Sequence, residues 1–473
     1  MKSAKAILLT LIFTVSIVGL GATLLVAGLL DQEPVPPQEG DGLIVDIFGS
    51  SGGLPMVKKD PIAIPFFKNT GSSADTMGLA KKLADEAAED MRMTGRFDVI
   101  DRALYIENPH TTGVKPGTFS FEDWRMVNAE YLIKGNFALD GDRLTVQFRL
   151  FHVPQQMMLI GKEYTGKPKD WYLMVHKFGN DVVYELTRQK GIFGTKIAFV
   201  SRRGIDTTTP QELYVIDLDG RNQRKLTTLF GKAKNPTWSP DGSQLVFAWE
   251  NSRNETDMFN YLYAIPARGG EPKLLLKAEG LILSPRFSPS GSRIAVAISY
   301  GGNMEIYTVS VRGGKPKRLT ASRAIELFPA WSPRGDRLAF VSDRSGGPQI
   351  WTMKSDGTDT QRASFHGAYN QSPDWGNTEK GERIVYSARE SGQYHILMIA
   401  PDGTDAVNIT QGQGFTACEY PHFSPDGRAI TMTTREGAGR SIKIFNVDGS
   451  YTKQLTKVGV DDKNPSWSPR LLN

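Results

Sequence analysis

The sequence predicts a small α/β domain followed by an all-β six-bladed β-propeller built on repeats of about 45 residues. Three observations predict it. A proline stands two residues ahead of an aromatic six times: Pro236-Thr237-Trp238, Pro285-Arg286-Phe287, Pro329-Ala330-Trp331, Pro373-Asp374-Trp375, Pro421-His422-Phe423 and Pro465-Ser466-Trp467. Most copies run on into Ser-Pro-Asp-Gly or a near variant, as at Ser239-Pro240-Asp241-Gly242 and Ser424-Pro425-Asp426-Gly427. Proline second and glycine fourth suit a type I turn between two strands. Ahead of the repeats, apolar patterns of strand and helix period alternate, which implies a small α/β sheet.

At the N-terminus, Lys2 and Lys5 precede an uncharged apolar run from Ala6 to Leu30. As a helix it would reach about 37 Å, enough to cross a hydrocarbon core of about 30 Å with tilt. The lysines favour an N-inside orientation, so everything after Leu30 is expected outside the cytoplasm. Residues 1–30 read either as a cleaved signal or as an anchor. The length fits an uncleaved anchor better, because signal cores run to about 15 residues and the small-residue cleavage sites here are poor. Both readings place the body in the periplasm, and the second tethers it to the inner membrane. Residues 31–42 (DQEPVPPQEGDG) carry three prolines and four acids and read as an extended spacer.

Residues 43–190 read as the α/β domain. Leu43 to Phe48 (LIVDIF) and Pro61 to Phe67 (PIAIPFF) look like strands. A helix is expected from Ser73 or Asp75, with Leu79, Leu83, Ala84, Ala87 and Met91 at helical spacing and Gly95 as its left-handed stop. Phe97 to Ile100 gives a short strand, and Phe121 to Asn128 a second helix. Tyr131–Leu139 and Arg143–Phe151 flank Asp140-Gly141 as a hairpin. A last amphipathic helix covers residues 170–188.

Residues 191–473 carry the repeats. A strand follows each of the first five turns: LVFAW (245–249), IAVAIS (294–299), LAFVS (338–342), IVYSA (384–388) and AITMT (429–433). A glycine then closes a later strand in each unit, at Gly220, Gly270, Gly314, Gly357, Gly403 and Gly449. Each unit thus supplies about four short strands, one blade. The first blade, opening at Lys196–Ser201, lacks a Pro-x-Trp, and the last Pro-x-Trp lacks a following strand. The C-terminal segment should therefore complete the first blade and close the ring without an open edge.

Composition excludes several function classes. One cysteine, Cys418, rules out an intramolecular disulfide framework and a cysteine metal site. The formal net charge of +5 is spread along the chain, and aromatics recur at blade spacing rather than among basic clusters, so nucleic acid is not expected. No two of the six histidines have the spacing of a metal-binding helix; each reads as an ordinary polar residue, with His366 and His422 near the channel. The Asp-Gly pairs are turns without the further acids that calcium needs. Gly49-Ser50-Ser51-Gly52-Gly53 matches a nucleophile pattern but lacks the following helix. No catalytic residue, metal or cofactor is expected.

Taken together, these residues resemble the TolB family of periplasmic propeller proteins in the Tol–Pal envelope system. The order of domains carries the resemblance, with the junction Lys190-Gly191-Ile192-Phe193-Gly194-Thr195-Lys196-Ile197-Ala198, the Pro-x-Trp-Ser-Pro-Asp-Gly repeats, the terminal Pro-Ser-Trp-Ser-Pro, and Gly95-Arg96-Phe97 leading into Asp101-Arg102. The resemblance implies a monomeric, non-enzymatic adaptor supporting envelope integrity and cell division. One implied surface recruits the inner-membrane protein TolA through the segment matching Leu43, Ile44, Val45, Asp46, Ile47 and Phe48. LIVDIF also reads simply as the first strand of its own domain. The second implied surface binds the peptidoglycan-associated lipoprotein Pal at one open end of the channel. Its candidates are loop residues just before each Pro-x-Trp: Asn235, Leu283, Ser284, Leu327, Phe328, Gln371, Ser372, Glu419, Tyr420 and Asn464. Gly280–Leu283 and Ile325–Phe328 are apolar where better-known members are polar, and an apolar rim suits a protein partner. Two alternatives stay open. A carbohydrate- or peptidoglycan-binding propeller would show exposed aromatics at the mouth. A channel enzyme would need convergent His, Arg or carboxylate groups on inner strands, and LVFAW, LAFVS and IVYSA, taken as inner, are apolar.

Overall fold

The structure, a computed structural model, describes residues 58–471 apart from 110, 205–208, 230, 252–258 and 438. The apolar run, the spacer and Leu43–Phe48 lie outside these residues. No helix among the described residues is long and apolar enough to cross a membrane.

The small domain runs β1 (Asp60–Ala63), β2 (Lys68–Asn69), α1 (Leu79–Met93), β3 (Phe97–Val99), α2 (Phe121–Met126), β4 (Tyr131–Asp140), β5 (Arg143–His152), β6 (Met157–Gly166) and α3 (Trp171–Thr187). The sheet order is β3-β1-β4-β5-β6, with β2 also on β4. β1 is parallel to both neighbours, while β4, β5 and β6 form an antiparallel meander. α1 and α3 bury Leu83, Met91, Val175 and Phe178 on one face with Ile133 and Phe148. Trp124 of α2 packs with Leu132 and Phe151 in a separate cluster.

Three local departures have physical causes. The run Pro61–Phe67 is strand only to Ala63; beyond it the Ile64 amide donates to the Tyr105 hydroxyl (2.9 Å), and Pro65 has no N–H to continue a ladder. α1 begins at Leu79 rather than at Ser73 or Asp75, because the Asp75 carboxylate reaches forward as its cap, accepting from Leu79 N (2.7 Å) and Ala80 N (2.9 Å). β6 has no counterpart in the sequence reading; its exposed Met157 and Met158 break the alternation that marks a half-buried strand.

The remaining strands form six four-stranded blades. Their first strands are Lys232–Trp238, Ile282–Phe287, Glu326–Trp331, Tyr369–Thr378, Cys418–Phe423 and Asp461–Trp467. These contact one another around the ring and so line its channel. The last pairs antiparallel with Lys196–Arg202, so the C-terminal segment completes the first blade, as the complementary chain ends require. The strand LVFAW, with its equivalents, is the second strand of its blade, and its side chains fill the cores between blades.

The repeated motif explains itself in this setting. In the Ser-Pro-x-Gly turns Gly242, Gly291, Gly335 and Gly427 donate back to the carbonyls of Ser239, Ser288, Ser332 and Ser424 at 2.8–3.0 Å. Gly427, at φ +69°, passes so close to the Asn377 carbonyl that a Cβ would stand 2.0 Å from it. The six motif aromatics are all buried. Trp238 Nε1 donates to Ser466 O and Trp331 Nε1 to Arg286 O, both at 3.1 Å, stitching blades across the channel wall. Among the described residues five blades also carry a buried clasp: an amide of the third strand donates to a hydroxyl after the fourth, as in Ile306 N to Thr320 Oγ1 (2.9 Å), and that hydroxyl donates to Glu305 Oε2 at 2.7 Å.

Trp467 carries the closure. Its ring is buried against Ile197, Ile192 and Phe193, and its Nε1 donates to Thr195 Oγ1 at 2.9 Å. Trp467→Ala should cost about 3–5 kcal/mol, the usual range for a buried tryptophan. Denaturant unfolding followed by circular dichroism reads this; a change below about 1 kcal/mol would show that closure does not rest on this residue.

Candidate functional site: the channel mouth

Each first strand bulges at the same place. The residue before the motif proline has positive φ in all six blades: Asn235 (+47°), Ser284 (+52°), Phe328 (+52°), Ser372 (+53°), Tyr420 (+53°) and Asn464 (+53°). The ladder to the second strand shifts register there every time. A residue before proline is ordinarily extended, and a left-handed non-glycine residue costs about 1–2 kcal/mol. Asparagine tolerates this conformation; phenylalanine and tyrosine do so poorly. Six such bulges in register make a rigid ring, and bulges re-aim side chains next to functional sites.

These six residues, with Pro236, Pro465 and Arg286, line a small cavity that opens to solvent at the channel. The structure thus brings together six of the ten expected residues. It places them inside strands, not in loops. Leu283, Leu327, Gln371 and Glu419 are outside the lining. Within the expected apolar rim, Leu283 and Leu327 are only 2% and 1% exposed. The alternation of side chains along a strand turns them away from the position that the bulge re-aims. Phe328 and Tyr420 remain as the aromatic part of the mouth, with ring centroids 6.2 Å apart.

The middle residue of each motif takes the same place in its first strand: Thr237, Arg286, Ala330, Asp374, His422 and Ser466. The expectation of apolar inner strands is therefore wrong, because it took the second strands for the first. Arg286 Nη2 stands 3.9 Å from Asp374 Oδ1, and His422 Nδ1 3.8 Å from Asp374 Oδ2. Burial pushes the His422 pKa down, so its ring is neutral, and burial lowers Arg286 as well, against the pull of Asp374. Asp374, His422 and Ser466 follow the order of an acyl-transfer triad, but the geometry does not serve one. His422 Nδ1 lies 3.1 Å from the Phe423 carbonyl rather than on Asp374, Ser466 Oγ is 3.4 Å from Nε2, and Ser466 is wholly buried. His366 sits in the connection to the fifth blade and does not line the mouth.

A second cluster joins the small domain to the first blade, and no spacing in the sequence announces it. His176 of α3 is buried with Nδ1 3.0 Å from Asp90 of α1 and Nε2 3.2 Å from Asp219 of the propeller. Arg221 donates to Glu86 (2.8 and 2.6 Å) and to Asp219 (2.7 Å), with Trp171 and Tyr172 under its guanidinium. Glu86, His176 and Asp219 present atoms within 4.8 Å of one another, a spacing that could hold a metal. Arg221 already neutralises both carboxylates, so the set reads as an ion-pair network. Burial opposes the His176 cation, but the charge of Asp90 and hydrogen bonds to Asp219 and Asp90 outweigh it and raise the pKa to about 10. Burial likewise works against the Asp219 anion, yet hydrogen bonds from His176 and Arg221 hold its carboxyl far below the usual range. Burial lifts the Asp90 pKa, and the His176 charge and hydrogen bond oppose that rise. Nearby, Gly95 at φ +71° touches the sixth blade, where a Cβ would stand 2.6 Å from Ser450 Oγ.

The chain is thus a six-bladed propeller that carries an α/β domain against its closing blades. The signature of the TolB beta propeller domain matches residues 183–471, and that of the TolB amino-terminal domain matches residues 55–159. The chain belongs to the TolB family. It is 32% identical over 252 residues to the Tol-Pal system protein TolB of Desulfosudis oleivorans, a match spanning 53% of this chain and 55% of that protein. With the Geobacter sulfurreducens protein of the same name it shares 36% identity over 184 residues, 39% of this chain and 41% of that one. These matches span about half of the relatives' length or less. The crystal structure of TolB from Acinetobacter baumannii superposes with a TM-score of 0.73 at 22% identity, covering 87% of this chain and 97% of that one, which shows the shared fold.

Two measurements follow from this geometry. Tyr420→Gly should leave stability within about 1 kcal/mol of wild type, since relief of left-handed strain offsets the lost ring and the entropy of glycine. Tyr420→Val should fall at least about 1 kcal/mol below the glycine variant by denaturation midpoint; the reverse order would remove the strain argument. For His176, a folded pKa of about 10 exceeds the ordinary unfolded value of about 6.5. Its stabilisation is then full below about pH 6.5 and lost as pH rises to about 10, at up to about 1.4 kcal/mol per pH unit. Thermal unfolding across that window should show the decline in wild type and not in His176→Gln.

Proposed function

We propose that this chain is a non-enzymatic, periplasmic adaptor of the Tol–Pal system. In this reading the channel mouth seats a Pal-type peptidoglycan-associated lipoprotein, and Leu43–Phe48 offers a strand to a TolA-type inner-membrane protein by main-chain pairing. The observation that carries the docking reading is the ring of six left-handed bulges. It fixes Phe328 and Tyr420 in the wall of a preformed cavity, so little entropy is lost when a partner lands there. Periplasmic location follows from the Tol-Pal names of the relatives and from the orientation expected of residues 1–30. The same aromatic pair favours a second reading, a saccharide stacked in the mouth.

Calorimetric titration with the Pal-type lipoprotein of the same organism tests the first reading. Saturable binding is expected, and Phe328→Asp should weaken it at least about hundredfold, because an aromatic anchor would be replaced by a charge in a desolvated centre. No heat and no co-elution at high concentration of both proteins would refute it. Binding of peptidoglycan fragments instead would support the saccharide reading.

A further inference from the structure

Among the residues that line the mouth, Arg286 is the one charged side chain. Its guanidinium carries five N–H donors in a planar fork. Its ion-pair partner, Asp374 Oδ1, is 3.9 Å from Nη2, too far for a hydrogen bond. The other oxygen of Asp374 accepts from Phe423 N at 2.8 Å, which holds that carboxylate in the wall. Two further groups in the same lining are unspent. The hydroxyls of Ser284 and Ser372 are buried without a hydrogen-bond partner, on residues only 4% and 3% exposed. The bulges hold both serines, so neither hydroxyl is there by the accident of a mobile loop.

This donor set selects a ligand class. A guanidinium pairs with a planar oxyanion through two parallel N–H bonds, and hydroxyls donate to the remaining lone pairs. No carboxylate lines the cavity, so it does not suit a cation. The Arg286 side chain is 21% exposed and has no hydrogen-bonded carboxylate, so an incoming carboxylate would supply the partner that Asp374 does not. The cavity offers about 20 Å³ to water-sized groups, a little above what one water needs, so it admits the tip of a side chain and no larger ligand.

We propose that the channel mouth is a carboxylate pocket, in which Arg286 and the hydroxyls of Ser284 and Ser372 receive an aspartate or glutamate side chain of the docked protein partner. This rests on the docking reading and adds the chemistry of the inserted residue. A free carboxylic acid would meet the same donors, and the experiment separates the two sources.

Wild type, Arg286→Gln and Arg286→Lys, as full chains, are titrated with the Pal-type lipoprotein of the same organism. The partner is also prepared as a set of variants, each with one surface Asp or Glu changed to its amide. Arg286→Gln should weaken binding about tenfold to hundredfold, the range for losing a charge-assisted pair. Arg286→Lys, which keeps the charge and loses the fork, should recover only part. One partner variant should weaken wild type by the same factor and Arg286→Gln by nothing further. Equal affinity of wild type and Arg286→Gln overturns the carboxylate pocket and leaves the docking reading standing. Absence of any binding by wild type overturns the docking reading, and sodium glutarate then decides the pocket. Saturable shifts of the Ser284 and Ser372 amide resonances in wild type, absent in Arg286→Gln, sustain a pocket for free acids; no shift in wild type overturns it.

Discussion

A propeller is a sheet bent into a ring, and a ring left open would present the edge of its first blade to solvent. Here the constraint is met by the last strand of the chain, Asp461–Trp467, which pairs with Lys196–Arg202. Ser468 extends the seam, donating its amide to Lys196 O at 2.8 Å and accepting the Lys196 amide on Oγ at 2.9 Å. Arg470 then reaches back to the carbonyls of Gly191, Lys190 and Pro425. Gly191 and Lys190 lie between α3 and the first propeller strand, so the seam that closes the ring also fixes the root of the small domain. The cluster around Trp467 shows the same economy, for it includes Met93 of α1 as well as Ile192 and Phe193. Domain docking is thus subordinate to ring closure.

Closure also permits the strain at the mouth. A left-handed tyrosine before proline would relax in an isolated hairpin. Inside the ring, each bulged strand is held by its own second strand and by the first strands of both neighbouring blades. The aromatic of the next position pins the strand further, as Trp331 does through Arg286 O. Backbone strain persists only where its surroundings overdetermine it. Six repeated bulges are such a case, and the outcome is a mouth whose side-chain directions are set before any partner arrives.

Much of this was legible in the sequence. The six Pro-x-Trp or Pro-x-Phe motifs, their Ser-Pro-Asp-Gly turns and the complementary chain ends predict blade number and closure, because each signal is local chemistry repeated at a fixed period. The assignment of strands within a blade was not legible. LVFAW and Lys232–Trp238 both look like strands, and apolar character suggested that the former faced inward. In a closed ring the first strands face a polar channel, and the apolar second strands fill the cores between blades, so the more polar strand is the inner one. The bulge was hidden as well, since nothing in Phe328-Pro329 or Tyr420-Pro421 announces positive φ; it arises from six strands converging on one axis. The ion-pair network of His176, Asp90, Asp219, Glu86 and Arg221 draws on residues up to 135 positions apart, as between Glu86 and Arg221, and no spacing rule links them.

The symmetry of the scaffold is what isolates the functional positions. Proline is present in all six motifs, and the aromatic two places on is always Trp or Phe, because each has the same task of setting the strand and filling the core between blades. The residue before the proline and the residue after it carry no such task. The first position is Asn, Ser, Phe, Ser, Tyr and Asn around the ring; the second is Thr, Arg, Ala, Asp, His and Ser. Packing requires only that these side chains enter the channel without clashing. Their chemistry is therefore free to differ from blade to blade while the backbone stays six-fold. An asymmetric partner can be read only by asymmetric side chains, and these two positions are where the repeat allows them.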